Sequence, residues 1–288
     1  MSNGGPRTGI HQEQGEAVPE DHEQPPGLNF SVPNVARMFD YYLGGKDNHA
    51  ADREAARLVL GNAPDIPLAA LENREFVKRA VSFLAEEAGI TQFVDIGPGL
   101  PTQANVHQLA RRFAPDARVA YIDNDPVVLA HGRWLLNHVP GVAMIDGDIR
   151  KPEKILANPS LHALIDFTKP VALCMSLVLH FIPARNDPHA IVARLRDELC
   201  PGSYIVVTHV TGDERDADAL AGITDVYTDA TAPLIMRSRS EVTRFFAGFD
   251  LVEPGVVFLS QWRPTAEHYA RGGTRWAYAG IGRKAQPE

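Results

Sequence analysis

The sequence predicts an α/β fold: a doubly wound, mostly parallel sheet of seven strands with the last strand antiparallel, preceded by a helical cap. Three observations predict it. From Gln92 to Val210 short apolar runs alternate with amphipathic stretches of helical period, the pattern of a parallel sheet covered on both faces. The first run ends in "VDIGPG", an acid and two glycines before a helix, a turn that lets backbone approach a ligand closely. The last two runs, "DLVEPGVVFLSQW" and "TRWAYAGIGRK", have no helix between them, which favours antiparallel pairing.

The 288 residues suit one α/β core. Residues 1–29 are polar and rich in Gly, Pro, Glu and Gln; they bury too little apolar area to offset the entropy of ordering and read as a disordered tail. Residues 30–72 read as a helical cap, with "NVARMFDYYL" stopped by Gly44-Gly45 and "ADREAARLVL" by Gly61-Asn62. Residues 73–288 read as the domain that carries the sheet. Asn73 is placed to cap "REFVKRAVSFLAEEA", where Phe76, Ala80 and Leu84 recur at helical spacing and Gly89 closes the helix. Strand "QFVDIG" leads to helix "TQANVHQLARRF", and strand "RVAYIDND" to helix "PVVLAHGRWLLNHV", with Pro126 near its first turn. Strand "VAMIDGDI", the weaker helix "PEKILANPSLHALI", strand "PVALCMSL", helix "ARNDPHAIVARLRDEL" and strand "SYIVVTHV" follow. Residues 211–239, acidic at their start, read either as surface helices or as one wall of an acceptor pocket, and "SEVTRFFAGF" reads as a helix.

Composition narrows the function. Hydrophobic residues make up 44% and charged residues 22%, as in a globular protein, and the net charge of −8 argues against a broad nucleic-acid surface. No run of about 18 apolar residues suggests a membrane span. The polar N-terminus does not read as a secretory signal, so a cytoplasmic location is expected. Cys174 and Cys200 read as free thiols in apolar surroundings, and no His/Cys/Asp cluster has metal-ligand spacing, so no metal is expected.

The glycine turn asks which nucleotide is held. Gly97 and Gly99 permit the turn, but Thr102 stands where a dinucleotide pattern wants its third glycine, and Pro98 and Pro101 lack the N–H donors that a pyrophosphate needs. Asp123 ends the next strand, where an acid accepts from both ribose hydroxyls and repels a 2′-phosphate; Asp125, before Pro126, suits helix capping and leaves Asp123 free. Asp148 in "DGDIR" reads either as turn chemistry or as an acceptor for an adenine amino group, with Ile149 against the ring. The three features sit at the carboxyl ends of three successive strands and line one crevice.

With these motifs in this order, Gln92–Lys284 resembles a class I S-adenosylmethionine-dependent methyltransferase of Rossmann-like fold. "SVPNVARMFDYYLGGKDNHAADREAA", with "VDIGPGLPT", "YIDNDPVVLAH" and "GTRWAYAGIGRK", also resembles a bacterial S-adenosyl methyltransferase family long known only as a domain of unknown function. The resemblance implies S-adenosylmethionine as cofactor. It places the loop with Asp95, Gly97, Pro98 and Gly99 at the methionine and ribose, Asp123 on the ribose hydroxyls and Asn124 beside the adenine. It places Asp148 and Ile149 at the adenine and Met175, Ser176 and Leu177 under the sulfonium. Pro98 and Pro101 depart from the generic motif, which bears on how many loop N–H groups reach the cofactor.

Arg37, Tyr41 and Gly44 fall near one face of the first helix. That helix either folds over the cofactor, with Arg37 among its contacts and the Tyr41 ring near the sulfonium, or packs on the sheet edge with Arg37 paired to Asp40 or Tyr41. "GGKDN" lacks the spacing of a P-loop. His180 and His209, after the fourth strand and at the end of the fifth, are candidate bases, and each also reads as a structural histidine. Tyr227, Met236, Trp262 and Trp276 read as pocket lining or core. The function expected is methyl transfer from S-adenosylmethionine to a small-molecule acceptor, with His180 and Tyr41 at the chemistry. The alternatives are a non-catalytic protein that binds S-adenosylmethionine or S-adenosylhomocysteine as sensor or partner subunit, and an NAD-dependent oxidoreductase, permitted by Asp123 but opposed by Thr102 and the prolines. Neither the acceptor nor the oligomeric state is written in these motifs.

Overall fold

The computed structural model describes Met1 and residues 29–101, 105–265 and 273–285; the tail read as disordered lies outside these apart from its two ends, and so does Thr102. Strands β1 (Gln92–Ile96), β2 (Arg118–Asp123), β3 (Val142–Asp146), β4 (Ala172–Ser176) and β5 (Tyr204–Val210) pair in parallel in the order β3-β2-β1-β4-β5. All of β1 is buried, because a central parallel strand meets helices on both faces. The last strand, β8 (Ala277–Arg283), runs antiparallel to β5 from Tyr204↔Arg283 to Val210↔Ala277.

The run "DLVEPGVVFLSQW" yields two short strands, β6 (Asp250–Leu251) and β7 (Val257–Phe258), both antiparallel to β8. Pro254 has no N–H for a ladder and Gly255 adopts φ +83°, so the expected single strand divides in two. The sheet otherwise has the expected topology.

Ten helices accompany the sheet among the described residues: α1 (Val35–Tyr42), α2 (Ala50–Asn62), α3 (Ile66–Ser82), α4 (Val106–Ala110), α5 (Pro126–Leu136), α6 (Pro152–Leu156), α7 (Pro159–Leu164), α8 (Pro188–Glu198), α9 (Ala217–Thr228) and α10 (Arg239–Thr243). One apolar layer joins Phe76 of α3 and Leu109 of α4 to Phe93 and Trp262. The other joins Leu161, Ile191, Leu195 and Val242 to Val94, Leu173 and Ile205. A third cluster, Met38, Tyr42, Val59, Ala70, Ile223, Tyr227 and Trp276, binds α1, α2 and α9 into a cap.

α3 begins at Ile66, not after Asn73, so Asn73 lies inside a helix and caps nothing. Ala69 and Ala70 pack in the cap cluster and carry the helix back across the boundary placed between residues 72 and 73. Among the described residues no helix is long and apolar enough to cross a membrane.

Candidate active site

The carboxyl ends of β1, β2 and β4 meet the cap around a cavity of about 430 Å³. The turn after β1 is tight: Gly97 has φ +71°, and a Cβ there would stand 2.7 Å from Val178 Cγ2, so only glycine fits between the two loops. Gly97 N donates to Ile122 O at 2.8 Å, and Gly99 N donates to Asp123 Oδ2 at 3.3 Å. Asp123 Oδ1 accepts from Asp125 N at 2.9 Å, while Asp125 Oδ1 caps α5 by accepting from Val127 N and Val128 N.

Two acids face this cavity from buried positions. Burial pushes the Asp95 carboxyl up to about 7, with nearby Arg74 opposing and Asp123 reinforcing the shift. Burial pushes Asp123 up to about 6 against the N–H donors of Asp125 and Gly99. Arg74, on α3, also lines the cavity; burial lowers its pKa and Asp95 holds it up. Its Nε is buried without a hydrogen-bond partner among the described residues, and its guanidinium lies 5.8 Å from the centre of the Phe39 ring. Unused N–H capacity on a cation beside buried carboxylates suits a zwitterion, an amino acid end with both carboxylate and ammonium.

The β4 loop is held by a polar knot. Asn73 Nδ2 donates to Ser176 Oγ at 3.0 Å, Thr208 Oγ1 donates to Asn73 Oδ1 at 2.8 Å, and Leu177 N donates to Thr208 Oγ1 at 2.9 Å. Leu177 adopts φ 51°, unusual for a non-glycine residue, and the knot keeps it there. His180 follows, 3% exposed, its Nδ1 without a partner among the described residues. Burial holds its imidazole well below the ordinary range, aided by His209 and Arg237, so it is neutral at pH 7. Behind it, Arg237 Nη1 donates to His209 Nε2 at 2.8 Å and to Leu179 O at 3.0 Å.

The helical cap closes over these groups through its own network. Asn34 caps α1 by accepting from Ala36 N and Arg37 N, and its Nδ2 donates to Asp125 Oδ2 at 2.5 Å. Arg37 Nε meets Asp52 Oδ2 at 2.7 Å, and Asp52 also accepts from Asn34 N and His49 N. Asp40 accepts from Asp47 N and Asn48 Nδ2 across the Gly44-Gly45 turn.

Comparison with known proteins decides the family: the S-adenosyl methyltransferase family model matches residues 21–285. The chain belongs to that family. It shares 40% identity with a candidate methyltransferase from Thermobifida fusca YX, over 91% of this chain and 99% of that one, with a TM-score of 0.85. It shares 37% with a DUF574 family protein from Streptomyces avermitilis MA-4680, over 88% of this chain and 98% of that one, with a TM-score of 0.83. The citrinin polyketide synthase CMeT domain, 12% identical, aligns with 87% of this chain and 60% of its own at a TM-score of 0.54, a likeness of fold alone. A comparison with curated proteins finds no match. The chain is an S-adenosylmethionine-dependent methyltransferase.

The cavity of this methyltransferase gathers Asp95, Gly97, Pro98, Gly99, Asp123, Asn124, Asp148, Ile149, Ser176 and His180, all named from sequence. It does not gather Tyr41 or Arg37. At α1 the neighbouring Tyr42 faces the cavity, and Arg37 turns to the buried Asp52. Leu177, Tyr227, Met236 and Trp276 line it too, whereas Met175, His209 and Trp262 pack elsewhere. Asp148 forms a pair with Arg150, whose hydrogen bonds outweigh burial and hold the carboxyl below its ordinary range. Sequence reasoning missed Arg74 and Asn73. Within "LENREF" they look like a charged, solvated stretch of helix, and only their burial sets them apart.

Proposed function

We propose that this methyltransferase methylates a small molecule held between α1, α9 and the β4 loop. The observation that carries the reading is one cavity running without interruption from Asp95 and Asp123 to Tyr42, Tyr227 and Trp276. The cap helices supply one wall of it, which suits a discrete small acceptor rather than a nucleic acid, and the net charge of −8 agrees. When bound, the cofactor supplies an electrophilic methyl group, its carbon–sulfur bond breaking as an acceptor lone pair bonds to carbon and the electron pair stays on sulfur.

The chain's own groups position and exclude water. Arg74 takes the methionine carboxylate and Asp95 faces the ammonium. Asp123 accepts from the ribose hydroxyls, Asn124 and Ile149 flank the adenine, and Asp148 shares its carboxylate between Arg150 and the adenine amino group. Ser176, held by Asn73, sets the β4 loop beneath the reacting centre. The neutral imidazole of His180 takes a proton from the acceptor; alignment within the cavity supplies on the order of 7–11 kcal/mol of the barrier reduction. The free thiols Cys174 and Cys200 and the bacterial family resemblance favour the cytoplasm of a bacterium.

Calorimetric titration with S-adenosylmethionine, S-adenosylhomocysteine and NAD, with Asp123→Ala as control, tests the reading. Saturable binding of the first two, weakened in the variant, is expected. Preference for NAD would overturn it.

A further inference from the structure

Resting on the assignment of this cavity to methyl transfer, we propose that the acceptor is an uncharged ring compound that presents a hydroxyl group. The charged side chains of the cavity, Arg74, Asp95, Asp123, Asp125, Asp148 and Arg150, come from α3, from the ends of β1 and β2 and from the loops that follow β2 and β3. The wall built by α1, α2, α9 and residues 231–236 is different. Every side chain it contributes is uncharged, from Phe39 and Val59 to Ile223, Leu234 and Met236. Its ionisable groups are neutral as well. Burial pushes the hydroxyls of Tyr42 and Tyr227 above their ordinary range, and His180 stays unprotonated. A carboxylate or ammonium carried against this wall would lose its water and find no charged side chain on α1, α2, α9 or residues 231–236, and Arg74, 5.8 Å from the Phe39 ring, already answers the Asp95 carboxylate; that cost selects against charged acceptors.

Aromatic faces shape the same wall. Phe181 and Tyr227 have ring centres 6.2 Å apart, and Trp276 joins the cluster from β8's approach. Such walls fit flat, apolar skeletons. Two polar points remain. The Tyr42 and Tyr227 hydroxyls stand 3.5 Å apart, the far limit of a hydrogen bond, so each keeps capacity for a ligand oxygen. At the β4 loop, His180 lines the cavity with a neutral ring.

A hydroxyl satisfies this arrangement on both sides of the reaction. It enters neutral and leaves as a neutral ether, whereas an aliphatic amine arrives at pH 7 as an ammonium ion. The hydroxyl oxygen would bond to the methyl carbon as the carbon–sulfur bond breaks and its electron pair stays on sulfur, and the hydroxyl proton would pass to the His180 imidazole and on to water. An imidazolium beside Arg237 and His209 is disfavoured, so the proton does not stay.

The test uses the full chain saturated with S-adenosylhomocysteine and four probes: 2-naphthol, 7-hydroxyflavone, 6-hydroxy-2-naphthoic acid and 2-(aminomethyl)naphthalene. Calorimetry reads their binding, and mass spectrometry reads methyl ether formed from S-adenosylmethionine. Expected are binding and ether formation with the two uncharged probes and binding at least about 100-fold weaker with the two charged ones. Tyr227→Phe should weaken 7-hydroxyflavone about tenfold and leave S-adenosylhomocysteine binding unchanged. Equal or tighter binding of the acid or the amine overturns the proposal. So does failure of both uncharged probes to bind a protein that still binds S-adenosylhomocysteine. Failure to bind S-adenosylhomocysteine at all sinks the methyl-transfer reading itself, and the proposal with it.

Discussion

Asn34 donates from Nδ2 to Asp125 Oδ2, and the two residues stand on opposite sides of the cavity's rim, one capping α1 and the other capping α5. One side chain therefore fastens the cap to the strand end that carries Asp123. Asn34→Ala removes both a helix cap and this fastening. Stability should fall by about 2 kcal/mol in a thermal melt. The more telling change is in cofactor dissociation by stopped flow, expected about tenfold faster. Unaltered dissociation alongside a lowered melting temperature would show that the contact serves the fold alone.

Arg74→Met separates the two ends of the cofactor. Loss of a charge-assisted contact to the methionine carboxylate should weaken S-adenosylmethionine by about 10- to 100-fold. Adenosine, which lacks that carboxylate, should bind the variant as it binds the parent. A matching loss for adenosine would move Arg74 away from the carboxylate.

The raised acids give opposite pH trends for the free and the loaded protein. Asp95 and Asp123 rise from an ordinary 3.8 to about 7 and about 6. For a group raised on folding, the stabilising contribution is complete below the ordinary value and disappears as pH rises through the folded value. The free protein should therefore lose stability from these groups between about pH 4 and pH 7. Affinity for the cationic cofactor runs the other way, strongest with both acids ionised and falling about tenfold from pH 8 to pH 6. Calorimetry across that range checks it, and Asp95→Asn should flatten the curve. An affinity that rises on acidification would refute the assignment.

Arg37→Met should unfold the cap rather than empty the cavity. It strands Asp52, which has no exposed side-chain surface, and breaking such a pair costs about 3–5 kcal/mol. Arg37→Met/Asp52→Asn should recover part of that loss, since the amide oxygen still accepts from Asn34 N and His49 N. Whatever fraction stays folded should bind the cofactor within a few-fold of the parent. A selective loss of binding at full stability would return Arg37 to the cofactor.

The sheet was legible because each central strand must bury both faces, so β1, β4 and β5 announce themselves as apolar runs closed by turn residues. The turn after β1 was legible for a related reason: Gly97 and Asp123 answer local demands of the strand ends, a close approach to Val178 and an acceptor for Gly99 N. Asn73, Arg74 and the choice of Tyr42 over Tyr41 were not legible. Each depends on which face of a helix turns inward, and in a helix flanked by other helices polar residues are covered along with apolar ones, Asn73 fully and Arg74 in part. Arg37 misleads from sequence because its partner Asp52 lies on the next helix, beyond the reach of an i, i+4 argument.

The start of α3 is tied to the residues just before β8. Glu72 accepts from Thr274 N at 2.9 Å across a separation of 202 residues, and Asp65 accepts from Trp276 Nε1 at 2.7 Å across 211. Contacts of such long sequence separation are slow to form, because the loop between their partners must close first. The start of α3 therefore settles only together with the antiparallel edge of the sheet, and loosening β8 would loosen the cap as well.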